Sequence, residues 1–507
     1  MNDGGASLRR ADRVTSHVVG GVFAGLVVVA LAYGALRLLR SEVLFQYTEG
    51  PVLGSLAALL ETGSTGAMYP ADAWSHPPLV LTLYPPLFFW LSAALQAVTG
   101  AAEAYFAPRL LSLAATGGVL GMLVALSRRR RVPWSWTALL LGGLLINPGV
   151  YNLMGAAQVD TLGLLWTAAG ILCVLGEEKG DGSPGRWAAA AGFFLLAFFT
   201  KQSYVAAPAA LGLAWLVGGH RLRAVGFLGA LAAAATLGTL LLDRATGGGY
   251  LANAFGSLRG SAGFFGVRST LADSVPAQWI PLLLLVALMV RGGLRPRFPE
   301  LYAALAWPLH LAAMSKIGAS VNYLLEPLFA LVLLAIVRAR SPGEGELRAF
   351  PGPRPLVWAL VAWLGAASVA LGADRVANLR QLAAQRDYYR IVGLQPGYPL
   401  VDAILFPAVL REGTRPYLND PFAFGVLLEG DRWDESGLAA ELRSRRVPLI
   451  VTQIDLALGP APADAEARRL LFAYLWRAPT IWGAIMENYE PINDAPPFIW
   501  LPARGSP

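Results

Sequence analysis

The chain has 507 residues, of which 55% are hydrophobic and only 14% are charged, and its mean hydropathy is +0.51. This composition argues against a soluble globular protein, because apolar runs of the length that a bilayer requires recur from residue 15 to residue 373. The formal net charge is +7, and we expect its Lys and Arg residues to lie mostly in the cytoplasmic loops of a polytopic membrane protein. The sequence contains no base-reading motif that would indicate a nucleic-acid partner.

The first element is an apolar run over residues 15–36 that follows a polar tail with arginines at 9, 10 and 13. The run continues into Leu-Arg-Leu-Leu-Arg and lacks the small-residue cleavage site of a signal peptide. We therefore expect an uncleaved first membrane span, with residues 1–14 as a cytoplasmic tail and the chain leaving the cytoplasm after it.

Residues 37–105 are predicted to form a first outer loop. The loop contains an isolated acid, Glu49, in a Tyr-Thr-Glu-Gly turn, and two Pro-Pro steps that follow His76 and Tyr84. Glu49 is the first candidate for a catalytic residue. The alternative interpretation is that Glu49 is a first-turn acid stabilised by the dipole of the helix that follows it.

The apolar segment 87–100 is long enough to suggest a span, yet we predict that it lies along the membrane surface. Four consecutive arginines at 128–131 should face the cytoplasm, so only one crossing separates them from the first span. The better candidate for that crossing is 106–127, and the Trp-containing segment before it becomes a juxtamembrane helix.

Nine further apolar runs bring the predicted total to about eleven transmembrane helices. They fall at 133–151, 159–176, 187–200, 203–218, 222–242, 277–291, 298–314, 319–338 and 355–373. With this topology the basic clusters at 220–223, 291–297 and 338–354 all face the cytoplasm.

Polar side chains collect at the opposite, outer ends of these spans. They are Asn152, Gln158, Asp160, Lys201, Gln202, Asp243, Arg244, Lys316, Asn322, Tyr323 and Glu326. Any one of them could simply cap a helix in the headgroup region. Their one-sidedness, with Glu49 on the same side, favours a functional site.

Beyond the transmembrane domain (15–373), residues 374–507 regain charge and alternate short apolar stretches with helical patterns. The stretch 445–454 is typical of a buried strand, 435–445 of an amphipathic helix and 496–503 of a closing strand. We predict a small α/β domain, which the parity of the spans places outside the cytoplasm.

The order of these motifs resembles the GT-C glycosyltransferases, and is most similar to the branch of protein O-mannosyltransferases and lipid A aminoarabinose transferases (glycosyltransferase family 39-like). The resemblance covers about the first 330 residues. It rests on the acid of the outer loop, a Tyr-Pro-Pro-Leu-aromatic helix start at 84–90, Phe-Ala-Pro-Arg-Leu-Leu-Ser at 106–112, Gln-Val-Asp at 158–160 and Leu-Ala-Phe-Phe-Thr-Lys at 196–201.

The resemblance implies a GT-C fold and an inverting transfer from a polyprenyl-phosphate-linked sugar, at the outer face of the cytoplasmic membrane. The acceptor is a hydroxyl of a lipid, a protein or a cell-wall polymer, and Glu49 is the implied general base. Two departures from the family pattern are Thr48, where a second acid is usual, and Tyr84, where a lysine is usual.

The leaving group would be a lipid phosphate, whose developing charge requires cations. The resemblance implies Lys201 and Arg109 for this role, with Lys316 as a further candidate. Arg109 could instead be a snorkelling interface residue.

The other candidate substrate-binding residues have ordinary structural alternatives. His76 could orient an acceptor or donor phosphate, although a lone loop histidine is more often structural. Tyr84 could stack on a sugar, although an interfacial aromatic belt explains it equally well. Asp160 could bind the sugar or pair with Lys201. Asn322 and Tyr323 belong to the same outer rim.

No carboxylate cluster and no cysteine pattern compels a metal, since Cys173 is the single cysteine, so we predict a metal-independent enzyme without a cofactor. The competing class is a transporter or flippase for a lipid-linked or small polar substrate, which would show inverted repeats and midplane ionisable residues. A non-catalytic binding subunit is the third possibility, because of Thr48.

Overall fold

A computed structural model describes residues 3–39, 47–71, 76–147, 150, 153–175, 183–256, 282–283, 286–287, 297–315, 321–339, 358–367, 369–370, 373, 397–411, 413–429, 433–452, 455–459, 474–494 and 498–503. Most of the described residues up to 373 are helical. The helices are α1 (Asp3–Leu39), α2 (Glu49–Thr62), α3 (Leu87–Thr99), α4 (Phe106–Arg129), α5 (Trp134–Leu145), α6 (Asp160–Val174), α7 (Pro184–Thr200), α8 (Ala206–Val217), α9 (Arg221–Ala245), α10 (Phe298–Met314), α11 (Leu325–Arg338) and α12 (Trp358–Ala367).

Three of the described helices combine the length and the apolar composition that a membrane crossing requires. These segments are His17–Leu36 in α1, Phe106–Arg129 and Arg221–Ala245. Other apolar helices at the predicted positions are shorter, and the predicted span 277–291 lies largely outside the described residues. The total of about eleven crossings therefore stays a prediction.

The outer segment between α1 and α4 contains two short helices that end in the same way. The helix α2 ends at Gly63 and α3 ends at Gly100, and both glycines adopt the left-handed conformation that closes a helix C-terminus. With 13 residues, α3 is shorter than a bilayer crossing requires, as are α5 and α8 with 12 residues each, so its location along the membrane surface stays a prediction.

The core of the helical part is formed by helix pairs whose apolar faces are buried against each other. The helix α6 packs between α4 and α7, α8 packs against α9 and α10, α10 also contacts α11, and α1 packs on α5. Trp136 and Trp215 are among the largest fully buried side chains. The helices α5 and α11 have buried side chains on several sides, so they lie inside the bundle.

The C-terminal residues 397–503 form a mixed sheet with helices around it. The elements are β1 (Leu400–Val401), α13 (Phe406–Arg411), α14 (Pro421–Glu429), α15 (Ser436–Arg443), β2 (Ile450–Thr452), α16 (Tyr474–Arg477), α17 (Pro479–Asn488), β3 (Tyr489–Pro491) and β4 (Phe498–Pro502). The strand order is β1-β2-β4-β3, with β1 and β2 parallel and the other pairs antiparallel.

The helix predicted at 435–445 is present as α15, and the two predicted strands are present as β2 and β4. Their apolar residues pack into a core that contains the fully buried Trp476 and that also includes Leu79 and Leu81 from the segment between α1 and α4. The boundary at residue 374 and the location outside the cytoplasm stay predictions.

This C-terminal unit lies directly on α2. A Cβ added at Gly50 would lie 2.5 Å from the carbonyl oxygen of Ala403, and one added at Gly54 would lie 2.8 Å from Cβ of Asn419. Only glycine permits so close an approach, and the unit therefore contacts the outer segment that begins at Glu49.

Candidate functional site

Four helix ends converge beneath α2 and bring charged side chains together. Arg109 lies in the first turn of α4, Asp160 is the first residue of α6, and Lys201 follows the last residue of α7. Asn322 and Tyr323 lie in the short 3-10 turn Val321–Leu324 that precedes α11. The structure therefore brings together residues that are far apart in the sequence and that were predicted at the outer ends of spans.

Glu49 and Arg109 form a fully buried ion pair, which we call the Glu49 pair. Arg109 Nε donates to Oε1 at 3.1 Å and Nη2 donates to Oε2 at 3.1 Å, and the backbone N–H of Ala157 donates to Oε1 at 2.7 Å. Both side chains have 0% exposure. This two-point geometry is the strong form of a carboxylate–guanidinium contact.

The Glu49 pair bears on two structural alternatives that the sequence left open, one for Glu49 and one for Arg109. Glu49 is indeed the first residue of α2, where the helix dipole favours an acid. Arg109 is buried against Glu49 and the ring of Tyr105, 5.2 Å from its centre, so it does not snorkel to the surface.

The turn before α6 connects the Glu49 pair to Asp160. Gln158 Nε2 donates to Oγ1 of Thr48 at 2.8 Å, and Ser112 Oγ donates to the carbonyl oxygen of Gln158 at 2.9 Å. Thr48, which stands in place of a second acid, is thus a hydrogen-bond acceptor. These contacts hold the outer segment against the starts of α4 and α6.

Lys201, Asp160, Asn322 and Tyr323 form a second buried group, which we call the Lys201 cluster. Lys201 Nζ donates to Asp160 Oδ1 at 2.5 Å, and Asn322 Nδ2 donates to the same oxygen at 3.2 Å. The ammonium group also lies 4.1 Å from the centre of the Tyr323 ring, a cation–π distance. Tyr204, three residues after Lys201, donates from its hydroxyl to the backbone carbonyl of Asp160 at 2.6 Å.

One atom of the Lys201 cluster has an unused hydrogen-bonding capacity. Oδ2 of Asp160 is buried and accepts no hydrogen bond from the described part of the protein. A buried polar atom without a partner costs free energy unless a ligand or water satisfies it. Asp160 thus offers one carboxylate oxygen to a hydrogen-bond donor from outside the chain.

Tyr84 borders the Lys201 cluster from the outer segment. Burial, and then the nearby Asp160, Tyr323 and Asp420, raise the pKa of its hydroxyl well above the usual value, so the group remains a neutral hydrogen-bond donor. Its backbone carbonyl accepts from the hydroxyl of Tyr69 at 2.5 Å.

One of the predicted site residues is kept out of these groups, and one lies outside the described part of the chain. His76 is exposed to solvent in the outer segment. Lys316 lies outside the described residues. The structure therefore assigns neither residue to the Glu49 pair or to the Lys201 cluster.

A third polar group lies behind the Lys201 cluster, and the sequence patterns singled out its Glu326 but not its His310 or Tyr302. His310 Nε2 lies 3.1 Å from Oε2 of Glu326, and the hydroxyl of Tyr302 donates to Oε1 at 3.0 Å. The ring of His310 also lies 6.5 Å from that of Tyr323. His310 stands alone inside an apolar run, so only its partner across the bundle identifies it.

Within the described ranges, no three His, Cys, Asp or Glu side chains come close enough to hold a metal ion. Metal independence stays a prediction. The cations that could hold a phosphate group in this region are Lys201 and Arg109, and both already contact a carboxylate.

Two crystal structures of ArnT from Cupriavidus metallidurans are similar to this chain. The structure bound to undecaprenyl phosphate has a TM-score of 0.59 at 14% sequence identity, with 95% of this chain and 98% of that chain covered. The apo structure has a TM-score of 0.56 at 17% identity, with 86% and 94% covered. No protein-family model and no curated protein sequence matches the chain.

The likeness extends over almost the whole length of both proteins and includes the C-terminal residues beyond the predicted membrane domain. At identities this low it concerns the fold, and the activity has to be argued from the site. The chain has the fold of ArnT, a GT-C aminoarabinose transferase, as its sequence motifs predicted.

Proposed function

We propose that this protein is an inverting glycosyltransferase that moves a sugar from a polyprenyl-phosphate donor to a hydroxyl acceptor at the outer face of the cytoplasmic membrane. The observation that carries the proposal is the Lys201 cluster, in which a buried ammonium group and an unpartnered carboxylate oxygen lie together where helix ends converge. The fold supports it, because one ArnT structure with the same fold is bound to undecaprenyl phosphate.

The charge balance of the reaction explains why a buried cation is useful. The acceptor oxygen forms a bond to the anomeric carbon while the bond from that carbon to the phosphate oxygen breaks on the opposite face. The donor phosphodiester carries one negative charge and the departing polyprenyl phosphate gains a second. Lys201 stabilises that additional charge, and a preorganised group in a water-poor site does so more effectively than solvent.

Asp160 binds the sugar in this proposal. Oδ1 is occupied by Lys201 and Asn322, while Oδ2 accepts a hydrogen bond from a sugar hydroxyl or amino group. When the donor phosphate binds, Lys201 can share its three N–H groups between the phosphate and Asp160. Tyr84, Asn322 and Tyr323 line the same region, and Arg109 holds Glu49 in place.

Glu49 accepts the proton of the acceptor hydroxyl. In this proposal the acceptor hydroxyl donates to Oε2, which also accepts from Arg109 Nη2, whereas Oε1 accepts from Arg109 Nε and from the Ala157 backbone. A general base of this kind typically contributes about 10²–10⁴ in rate. The buried Arg109 orients the carboxylate before the acceptor arrives.

Transfer from radiolabelled polyprenyl-phosphate sugars tests the proposal, with hexose and pentose donors side by side in membranes that contain the wild type or Glu49→Gln. We expect transfer from one donor class, reduced about 10²–10⁴-fold in the variant. Glu61→Gln is the matched control, because Glu61 lies at the other end of the same helix and its side chain is 49% exposed.

Equal transfer by wild type and Glu49→Gln would remove the general-base role from Glu49. An absence of transfer from every donor, in protein that is folded and membrane-inserted, would contradict the glycosyltransferase and favour a transporter or a binding subunit.

A further inference from the structure

A short stretch of the C-terminal unit, Tyr417 to Phe422, is joined to the outer segment that carries Glu49 and Tyr84; we call it the clamp segment. The backbone N–H of Leu79 donates to the carbonyl oxygen of Tyr417 at 2.8 Å, and the N–H of Asn419 donates to the carbonyl oxygen of Leu79 at 3.0 Å. Leu79 and Leu418 thereby form a parallel β-bridge. The two regions, separated by more than 330 residues, share backbone hydrogen bonds.

Asn419 lies at the centre of the clamp segment and is 3% exposed. Its Oδ1 accepts from the backbone N–H of Leu81 at 2.7 Å, and its Nδ2 donates to the carbonyl oxygen of Leu81 at 3.2 Å and to Oγ of Ser55 at 3.1 Å. Ser55 in turn accepts from the hydroxyl of Thr82 at 2.8 Å. One side chain therefore joins the C-terminal unit, α2 and residues 79–82.

Asn419 contacts two segments, α2 and the stretch that begins at residue 79. The first segment leads to the Glu49 pair and the second leads to the Lys201 cluster. Ser55 lies six residues after Glu49, which is about 9 Å along α2. On the other side of Glu49, the hydroxyl of Tyr47 accepts from the backbone N–H of Phe422 at 2.6 Å. Glu49 is therefore flanked on both sides by residues that contact the clamp segment.

The second segment, residues 79–84, runs toward the Lys201 cluster. The carbonyl oxygen of Leu83, two residues beyond Leu81, accepts from Nε2 of Gln202 at 3.1 Å. Gln202 follows Lys201 directly in the chain, and Tyr84 follows Leu83. Residues 79–84 thus span the distance between Asn419 and the cation of the Lys201 cluster.

We propose that Asn419 is a positioning residue for the transfer reaction, which makes the C-terminal unit part of the catalytic machinery. Asn419 holds α2 and residues 79–84 in one register, so that Glu49 and Tyr84 keep a fixed place relative to Lys201. The inference rests on the proposed function. A displacement of about 1 Å at a reacting group is enough to cost about 10²-fold in rate.

The variants Asn419→Ala and Asn419→Asp test this role, with Arg415→Ala as the matched control. Asn419→Asp keeps the size of the side chain but removes both Nδ2 donations. Arg415 also joins the C-terminal unit to α2, but through Glu61, which lies 12 residues and about 18 Å along the helix from Glu49. The control therefore removes a domain contact without touching the segment beside Glu49.

We expect kcat per folded protein to fall about 10–100-fold in both Asn419 variants. The Kd for undecaprenyl phosphate alone should stay within about two-fold, because Lys201 is carried by the end of α7. Arg415→Ala should change neither quantity. An unchanged kcat in the Asn419 variants of an active wild type, or an equal loss in Arg415→Ala, overturns the role of Asn419 and leaves the proposed function intact.

A second measurement does not depend on activity. Hydrogen exchange of the backbone amides in 50–53 and 79–83 should become faster in Asn419→Ala and not in Arg415→Ala. An unchanged rate of amide exchange overturns the positioning role of Asn419, even if the wild type transfers none of the sugars tested. Faster exchange confined to these residues supports that role. A variant that fails to fold is replaced by Asn419→Asp, for which the same outcomes apply.

Discussion

The two buried carboxylates of the candidate site, Glu49 and Asp160, are paired with cations in different ways. The guanidinium of Arg109 donates to both oxygens of Glu49, and the backbone N–H of Ala157 donates a second hydrogen bond to Oε1. Asp160 receives all of its side-chain hydrogen bonds on Oδ1, and Oδ2 has no partner in the described part of the chain. One pair is closed, and the other is open to a ligand.

The difference shows that a buried charged group can serve either to orient segments of the chain or to bind a ligand. A buried ion pair with every hydrogen bond satisfied holds segments in a defined geometry, although it contributes little net stability over apolar residues. A buried pair with an unsatisfied oxygen carries a cost that only a bound molecule removes. The Glu49 pair therefore fits a role in orientation, and the Lys201 cluster fits a role in binding.

Arg109→Met is the change with the largest expected effect, because it leaves the Glu49 carboxylate buried without its cation. We expect a loss of about 3–5 kcal/mol in the free energy of unfolding. The double variant Arg109→Met with Glu49→Gln should recover part of that loss, because the uncompensated charge is then absent. Thermal and denaturant unfolding in detergent would measure both.

Arg415→Ala serves as the comparison for this prediction, since its partner Glu61 is half exposed and an exposed pair contributes about 0–1 kcal/mol. If Arg109→Met were as stable as Arg415→Ala, the Glu49 pair would not be the closed, buried contact that distinguishes it from the Lys201 cluster.

Lys201→Gln tests the open pair. Undecaprenyl phosphate at 100 times its Kd should stabilise the wild type by about 2.7 kcal/mol, because it binds only the folded protein. This stabilisation should be lost in Lys201→Gln, which keeps a hydrogen-bond donor near Asp160 but lacks the charge.

A conservative Glu61→Gln protein should keep the full ligand-induced shift in unfolding temperature. A full shift in Lys201→Gln as well would mean that the lipid phosphate binds elsewhere, and the contrast between the open and the closed pair would lose its functional meaning.

A third buried carboxylate, Asp420 in the C-terminal unit, extends the comparison, with an effect on stability of at most about 1.4 kcal/mol for each pH unit. Burial raises its pKa to about 7, against the hydrogen bonds from Ala423, Phe422 and Tyr47, which lower it. Between pH 4 and pH 7 the folded state thus binds more protons than the unfolded state, and the stability contributed by this group falls as the pH rises.

Asp420→Asn should remove this dependence. Relative to wild type, the variant should gain stability between pH 5 and pH 7 by at most about 1.4 kcal/mol per pH unit, with no further gain above pH 8. Unfolding temperatures across this range would measure it. A constant difference between the two proteins would show that Asp420 does not titrate there.

Much of the fold could be predicted because the apolar composition of a segment identifies it as a membrane helix. The helix starts and ends near Phe106 and Arg129 follow from an apolar run that a basic run terminates, and the amphipathic pattern of 435–445 is enough to predict α15. The short helix α3 is present near the predicted segment 87–100, while its location along the membrane surface stays a prediction that rests on the sidedness of Arg128 to Arg131.

The candidate site could be predicted only in part. Glu49 and Asp160 were singled out because polar groups gather at one end of the predicted spans, and Arg109 and Lys201 because of the family resemblance. Which acid pairs with which base, however, depends on how α4, α6 and α7 pack, and the sequence left Asp160 with two alternatives. Asn419 carried no signal, since an amide in a polar loop is ordinary.

The sequence by itself determined the class of the protein, the position of most helices and the side on which its polar groups gather, because bilayer length and charge asymmetry act on each segment separately. Only the tertiary structure decided that Arg109 closes on Glu49, that Lys201 leaves one oxygen of Asp160 open, and that Asn419 lies against α2. These contacts join residues 60, 41 and 364 positions apart. They exist because close packing brings the segments together, and packing depends on the whole fold.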